Sequence, residues 1–512
     1  HDWVAFSFHS PPSTALNTMS SSTSGVFSFP APIAERQQNN AAFLTDLKAA
    51  LPAEQLVLDS ARLTNDYSSD RSFHTPVTPM AVALPKSPQE ASAVIRLCNK
   101  HNITVHPRGA GTGLEGSCIP YLGGLVVDTS LLKRFDVDAL NGHVWVGAGH
   151  HKMHVMKLLQ KENLMFGPDP ASNPSVGGMV ATSGSGMSTL KYGTTRENLV
   201  SLLVVTASGD IIQTRKAVRK TSTGLDLTHL YCGSEGTLGL VVECCFKVYP
   251  LTTHRSGGLV TFPTSADAVS AVVAVKQLPA LRTLVRLELL NTGGIIATNK
   301  AYKLTLEETP TLLIEMQDTY DASVYMGQEF ENILRPIFEG YNCKKCDFIV
   351  DGKSFDDAWE ARRGCLMAAV AYRGKKKTEK VLITDVCVPL SALATVITET
   401  EKDFESKGVV CIICAHIADG NFHCMVPFST AEEKKEVLGL EHRLVRRAIT
   451  AGGTASGEHG VGIGKVRHLV EEHGKAHICV QECIKAALDP KNLFNPGVFY
   501  PSQQTRYGTA HL

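Results

Sequence analysis

Arg108-Gly109-Ala110-Gly111-Thr112-Gly113-Leu114-Glu115-Gly116-Ser117 places four glycines in ten residues and no aromatic. A short apolar strand, Ile103 to Val105, runs into it. Glycine reaches φ > 0 without a Cβ penalty and lets backbone N–H groups approach a ligand closely. Successive N–H groups in such a turn form an anion-binding concavity. The loop reads as a holder for phosphate or pyrophosphate. Gly111, Gly113 and Gly116 match G-x-G-x-x-G, but the dinucleotide fingerprint requires a helix to start at that turn. Here the chain continues through Cys118-Ile119-Pro120 into another apolar strand, Gly124 to Asp128. That excludes a Rossmann site, and the number of glycines disfavours a plain surface turn.

On the N-terminal side, Ser87-Pro88-Gln89-Glu90 reads as a capping box with Pro at the first helical position. The helix it starts carries Ala91, Val94, Ile95 and Cys98 on one face. On the C-terminal side, Val144 to Val146 reads as a strand and His150 to Asn163 as a helix. A stretch of small residues follows, from Phe166-Gly167-Pro168-Asp169-Pro170 through Gly177-Gly178 to Ser183-Gly184-Ser185-Gly186. After Lys191-Tyr192-Gly193 and Arg196-Glu197-Asn198 comes a third glycine-rich element, Gly233-Ser234-Glu235-Gly236-Thr237-Leu238-Gly239, entering the strand Leu240 to Val248. Three such elements within about 130 residues imply one ligand longer than a phosphate. Beyond Pro250 the texture changes. Helical stretches (Ser265 to Lys276, Val324 to Phe338, Ser391 to Ser406) alternate with strands (Leu312 to Met316, Val381 to Val388, Val409 to Ala415), which reads as α+β.

The 512 residues exceed one ordinary core, so two or three domains are expected. Fifty basic and fifty acidic residues leave no nucleic-acid or membrane footprint. No apolar run reaches transmembrane length. Fourteen cysteines read mostly as small buried hydrophobes of a reducing compartment. The pairs Cys343/Cys346 and Cys411/Cys414 lie too far apart for a zinc ribbon. Residues 1–40 are Ser/Pro-rich at their start, carry no Lys or Arg before Arg36 and are expected to be disordered.

Two further stretches carry chemistry. In His416-Ile417-Ala418-Asp419-Gly420-Asn421-Phe422-His423, Asp-Gly between apolar runs signals a two-residue type I′ hairpin. That register places His416 opposite His423, about 5 Å apart at Cβ, so two imidazoles converge as a metal requires. In Ser456-Gly457-Glu458-His459-Gly460-Val461-Gly462-Ile463-Gly464-Lys465 a carboxylate and an imidazole stand adjacent among glycines. It is not a Walker A loop, because His459 occupies the first glycine position and Val466 replaces Ser/Thr. A carboxylate added to two His ligands suits a divalent metal with open positions.

The series PRGAGTGLEGS, FGPDP, GGMVATSGSGM, KYGTTRENL and GSEGTLGLV resembles the FAD-binding domain of the vanillyl-alcohol-oxidase-type (PCMH-type) flavoproteins. Within these the chain is most similar to the D-lactate dehydrogenase (cytochrome) and glycolate oxidase subunit group, from about Thr75 to Tyr500. The resemblance implies an α+β protein: an FAD-binding PCMH-type domain at 76–253, a ferredoxin-like substrate (cap) domain at 254–500 whose end packs back on the flavin domain, and a tail at 501–512. It implies noncovalent FAD, since the glycine loop lacks the His that carries covalent flavin in some relatives. The implied cofactor contacts are Arg108, Gly109, Ala110, Gly111, Thr112, Gly113, Pro170, Gly177, Gly178, Ser183, Gly184, Gly186, Tyr192, Gly193, Glu235, Gly236, Gly239 and Asn495. It further implies His416, His423 and Glu458 as ligands of a divalent Zn or Mn ion and His459 as the base. The resemblance also implies that Arg362, three residues after Trp359, grips the substrate carboxylate and that Asn421 contacts substrate.

The expected reaction is oxidation of a short D-2-hydroxy acid by hydride transfer to flavin. Relatives acting on 2-hydroxyglutarate carry a Lys where this chain has Ile383 and a second Asn where it has Met425. Missing polar groups for a distal carboxylate favour D-lactate, with glycolate, D-2-hydroxybutyrate or D-2-hydroxyglutarate behind it. Other readings are an alkylglycerone-phosphate synthase-like flavoprotein, an electron-carrying flavin subunit and a zinc hydrolase. The first two are disfavoured by the His416, His423, Glu458, His459 set, and the last by the three glycine elements. The acceptor stays open among cytochrome c, an electron-transfer flavoprotein, a quinone and oxygen. Ala510-His511-Leu512 resembles a peroxisomal tripeptide read by an import receptor, so a peroxisome or glycosome is expected, with the mitochondrion as alternative.

Overall fold

The computed structural model describes residues 39–503 apart from 280, 320–322, 351 and 375–379. The segment expected to be disordered, up to residue 38, and the C-terminal tripeptide lie outside the described residues.

Three sheets make up the chain. In the first, Leu56–Val57, Ala81–Ala83, Leu125–Asp128 and Val105–Arg108 lie side by side in that order, the last three parallel. The helix Pro88–His101 covers it and buries Ala91, Val94, Ile95 and Cys98, the face expected from their spacing. Ser87 Oγ accepts from Glu90 N, but the Glu90 carboxylate reaches Lys86 N, one residue before the cap, so the reciprocal half of the box is displaced. The second sheet is antiparallel, ordered Phe135–Asp138, His143–Gly147, Leu240–Pro250, Leu199–Val205, Ile211–Gln213. The expected helix after it is shorter than its pattern, Lys152–Gln160.

The third sheet has eight strands. Its first half has His254–Thr261 and Thr311–Asp318 at the centre, Leu284–Leu290 on one side and Lys345–Val350 on the other, the ferredoxin-like strand order, with an added helix, Thr292–Tyr302, between the second and third strands in sequence. In the second half Lys380–Ile383 pairs with Asn421–Phe428, which pairs with Ile412–His416, and the short strand Val386–Cys387 also pairs with Asn421–Phe428. The halves join where Leu289 lies opposite Ala415. Helix Ser265–Lys276, capped by Thr264 on Asp267 N (3.1 Å), packs with Leu390–Glu405 over one face; such a cap is worth about 1 kcal/mol. The other face carries Thr292–Tyr302, Lys353–Arg363 and Cys365–Ala371. Cys346 sits on Lys345–Val350 and Cys414 on Ile412–His416, with three strands between them, so the two CxxC pairs do not meet. The chain end returns to the first sheet, where Val105 N donates to Leu493 O (2.8 Å) and Asn495 N to Val105 O (2.8 Å).

Candidate active site

A cavity of about 980 Å³ lies between the glycine loops and the eight-stranded sheet. Arg108 to Gly113, Pro170, Gly177, Gly178, Gly184, Glu235, Gly236 and Gly239 line one side. The loop after Arg108 enters no helix; it turns at Gly111 (φ +66°) and Gly116 (φ +78°) and reaches the strand Leu125–Asp128. A Cβ on Gly109 would stand 2.0 Å from Ser175 Oγ, so only glycine lets the first and second elements close into one wall.

Several expected cofactor contacts do not line the cavity. Ser183 ends the helix Val176–Thr182 in a left-handed conformation. Gly186 packs on the Asp169 backbone, and Gly193 on Glu197. The Tyr192 ring lies against Tyr249, centroids 4.7 Å apart. Asn495 Nδ2 donates to Ser117 O and Glu235 O, tying two glycine elements together from behind. Arg108 lines the wall, and its guanidinium donates to Asp66 O and Ser69 O (both 3.0 Å) at the end of the helix Ser60–Tyr67.

The opposite wall holds His416, His423, Glu458, His459 and Arg362. Two neighbouring strands, Ile412–His416 and Asn421–Phe428, the end of the helix Lys353–Arg363 and one loop bring them together. The expected hairpin is corrected: Asp419 joins a 3₁₀ turn Ile417–Asp419, and of the two turn residues only Gly420 takes positive φ (+81°). A type I′ turn needs both. His416 therefore lies opposite Asn421, and His423 opposite Cys414. The shift is two residues, which preserves the face, so the rings still meet, centroids 5.6 Å apart.

Glu458 Oε1 is 3.2 Å from His416 Nε2 and 3.3 Å from His423 Nε2. Asp385, His423 and His459 form an overlapping group of ligand type. His423 decides between them. Its Nδ1 lies 3.0 Å from Thr384 O, which can only accept, so Nδ1 carries the proton and Nε2 offers its lone pair toward Glu458. The donor set His416 Nε2, His423 Nε2 and Glu458 fits a divalent cation with positions left open. Ser185 Oγ donates to the other Glu458 oxygen (2.6 Å).

Two residues missed in the sequence organise this set. Glu288, on Leu284–Leu290, takes His416 Nδ1 (2.8 Å) and, on its other oxygen, Arg362 Nε (2.8 Å) and Nη2. Arg362 thus lines the cavity while paired, with three of its five N–H bonds unspent among the described residues. Asp385 Oδ2 accepts from Ser456 Oγ (2.8 Å), Glu458 N (2.9 Å) and His459 N (2.8 Å). Asn421, expected on substrate, is spent instead on Asp385 Oδ1 and Val386 O (both 2.9 Å) and does not line the cavity. A polar residue inside an apolar strand, alone in sequence, gave no signal for Glu288.

Burial alone would lower the His416 pKa, but Glu288 and Glu458 outweigh it and hold the imidazole well above its ordinary value. Burial opposes the Glu458 charge, and His416 holds it well below the carboxylate range. Burial pushes His459 down to about 4, Asp385 opposing and His423 and Lys465 adding to the shift. His459 Nδ1 is buried without a hydrogen-bond partner, and its ring stacks on His423 at 4.7 Å. The wall beside these groups is apolar: Leu366, Met367, Val370, Val381, and Ile383 paired with Met425 across the sheet.

Residues 79–215 match the family described as FAD binding domain, and residues 251–499 match FAD linked oxidases, C-terminal domain. The chain is 35% identical over 452 residues to a mitochondrial D-lactate dehydrogenase [cytochrome] of Arabidopsis thaliana, covering 86% of this chain and 78% of that one. A solved p-cresol methylhydroxylase shares the fold at TM-score 0.73 and 16% identity, covering 89% and 96% of the two chains. A solved alkyldihydroxyacetonephosphate synthase does so at 0.68 and 19%, covering 91% and 88%. These findings overturn the peroxisomal or glycosomal expectation: four D-lactate dehydrogenases similar to this chain, at 32–35% identity, are named as mitochondrial. Three terminal residues are too short a signal to stand against relatives matched over most of the chain.

Proposed function

The chain belongs to the FAD-linked oxidase family and is an FAD-dependent enzyme; on that premise we propose that it oxidises a short D-2-hydroxy acid, D-lactate first, to the 2-oxo acid. The observation that carries this reading is the facing of two walls across one cavity, glycine loops on one side and His416, His423, Glu458, His459 and Arg362 on the other. We assign FAD to the glycine wall at 76–253 and Zn or Mn to His416, His423 and Glu458 on the cap at 254–500. FAD supplies a two-electron acceptor when bound, and the metal a Lewis acid that lowers the hydroxyl pKa.

The protein's own groups divide the remaining work. Arg362 has N–H groups left for a carboxylate after pairing with Glu288, and its planar fork suits that geometry. His459, neutral at physiological pH because burial depresses it, takes the 2-hydroxyl proton as the C2 hydride departs. The apolar wall excludes water and accepts a small alkyl group. Ile383 and Met425 on that wall support a monocarboxylic acid. A 2-hydroxy diacid is the second reading, favoured by Arg363, which lines the same cavity without an ion-pair partner among the described residues. The similar dehydrogenases support a mitochondrial site and a cytochrome as electron acceptor.

Anaerobic titration with D-lactate, before and after chelation, tests the reading. Bleaching of the flavin band that is lost on chelation and restored by Zn or Mn is expected. Bleaching by a 2-hydroxy diacid alone would transfer the assignment to the second reading. A protein that takes up no FAD would overturn it.

A further inference from the structure

The loop Ser456–Lys465 carries both Glu458 and His459 between the helices Ala431–Thr450 and Val466–His473. Different halves of the molecule hold its two ends. At the start, Gly457 N donates to Asp385 O (2.7 Å), and the Asp385 carboxylate takes Glu458 N and His459 N. At the far end, Val461 N (2.6 Å) and Gly462 N (2.8 Å) donate to the two oxygens of Glu235. Ile463 N (2.9 Å) and Gly464 N (3.3 Å) donate to Glu115 O. Lys465 Nζ lies 3.0 Å from Glu115 Oε1 and 3.4 Å from Asp385 Oδ2, closing the circuit between the two ends. All three side chains are buried.

Glu115 belongs to the first glycine loop and Glu235 to the third. Neither carboxylate suits a pyrophosphate, whose charge would repel it. Glu235 has both oxygens occupied by loop N–H groups. The loop is shaped for this seat: a Cβ on Gly462 (φ +51°) would stand 2.0 Å from Glu115 O, and one on Gly460 (φ +84°) 2.9 Å from Glu235 Oε1.

We propose that Glu235, with Glu115 and Lys465, is a positioning residue that anchors the far end of the loop on the cofactor half, so that Glu458 and His459 meet the His416–His423 pair. Glu235 is then no cofactor contact. The inference rests on the proposed roles of Glu458 and His459. It makes the reactive loop a clasp stretched between the two walls, so each half sets the position of the groups that work on substrate.

Full-length, FAD-loaded Glu235→Ala and Glu235→Gln test this by three readouts. The first is amide-resolved hydrogen exchange. Slackening the anchor should speed exchange about tenfold at Val461 and Gly462 and also at Glu458 and His459 across the loop. The second is FAD affinity, which should change less than about threefold, because no cofactor contact is lost. The third is anaerobic flavin reduction. Its limiting rate should fall about 30-fold in Glu235→Ala with little change in half-saturating substrate, since sub-ångström misplacement of a reacting group costs rate rather than binding. Glu235→Gln, which keeps an acceptor oxygen, should lie between. Parallel loss of FAD affinity and reduction would make Glu235 a cofactor contact and overturn the proposal. So would faster exchange confined to Val461 and Gly462, or unchanged reduction. Lys465→Met, read the same way, replaces any variant that does not fold. The exchange arm needs no substrate, so a protein whose flavin ignores every 2-hydroxy acid sinks the substrate assignment and leaves this proposal to be decided on its own.

Discussion

Glu288→Gln removes the charge on which both His416 and Arg362 lean. The Glu288 carboxyl accepts from His416 on one oxygen and from Arg362 on the other, and all three residues are at most 5% exposed. Leaving a buried guanidinium without its counter-charge costs about 3–5 kcal/mol. The Gln oxygen retains one hydrogen bond, worth about 1 kcal/mol, so a net loss of about 2–4 kcal/mol is expected. Denaturant unfolding of the metal-free protein reads it directly. The same change should weaken metal binding. A carboxylate on the far nitrogen of a ligand histidine fixes its tautomer and raises its basicity, and losing it costs about 10–100-fold in affinity.

The pH dependence separates the two effects. In the metal-free protein the His416 pKa is raised by Glu288 and Glu458 against burial. A raised pKa contributes stability that is fully present below the unfolded value, about 6.5, and is lost as pH climbs through the folded value. Metal must displace that proton, so wild-type affinity should rise with pH. In Glu288→Gln the proton is held less tightly and the rise should be shallower, with the intrinsic loss of affinity clearest at the alkaline end. Unchanged metal affinity there, together with a stability loss under about 1 kcal/mol, would refute the reasoning.

His459→Ala should retain FAD and metal yet slow anaerobic flavin reduction by about 10²–10⁴-fold, as stopped-flow absorbance at the flavin band will show. The His459 pKa is depressed to about 4, so its contribution to stability is intact above about pH 6.5 and declines as pH falls toward 4; acid unfolding of wild type should lose part of its slope there in His459→Ala. Ile383→Lys puts a cation on the apolar wall beside Met425 and should cut kcat/KM for D-lactate about tenfold while raising that for a 2-hydroxy diacid; steady-state comparison of the two acids checks it. Arg286→Met strands Asp169 with Lys152 as its remaining cation and should destabilise the protein by about 3 kcal/mol, with weaker FAD retention on gel filtration.

The glycine wall was legible because its signal is local. Positive φ, close backbone approach and the absence of a following helix are properties of ten consecutive residues. The His416, His423 and Glu458 set was legible as residue types, but its register was not. Asp419-Gly420 signals a two-residue turn, and only the packing of Gly420 on the Val388 carbonyl, where a Cβ would stand 2.1 Å away, shows why the chain took a wider one. Glu288 lies 128 residues from His416 inside an apolar strand, and no spacing rule links the two. Asp385 falls inside the stretch Val381 to Val388, read only as a strand, although its carboxylate places two backbone amides of the reactive loop. Arg362 was found by resemblance, and the carboxylate that holds it was not. Local chemistry shows in the sequence; the partners that orient it come from strands made adjacent by the fold.

The same distinction explains how the two walls keep their separation. Lys152 Nζ donates to Asp169 Oδ1 (2.7 Å) and Pro170 O (2.6 Å), both on the glycine side. Arg286, from the eight-stranded sheet, donates to Asp169 Oδ2 (2.7 Å), to Ser188 Oγ (3.1 Å) and to Glu315 Oε2 (2.5 Å). Two cations and two carboxylates are thereby matched out of water, directly behind Pro170 on the cavity wall. Such a cluster adds little net stability over well-packed apolar side chains, because desolvation offsets the Coulomb gain. Its consequence is selectivity among dockings: sliding one half along the other would unmatch a buried charge, at several kcal/mol each, whereas an apolar interface would repack. On this hypothesis, which Arg286→Met tests, the charges fix the distance across the cavity, and the loop bearing Glu458 and His459 spans a gap of set width.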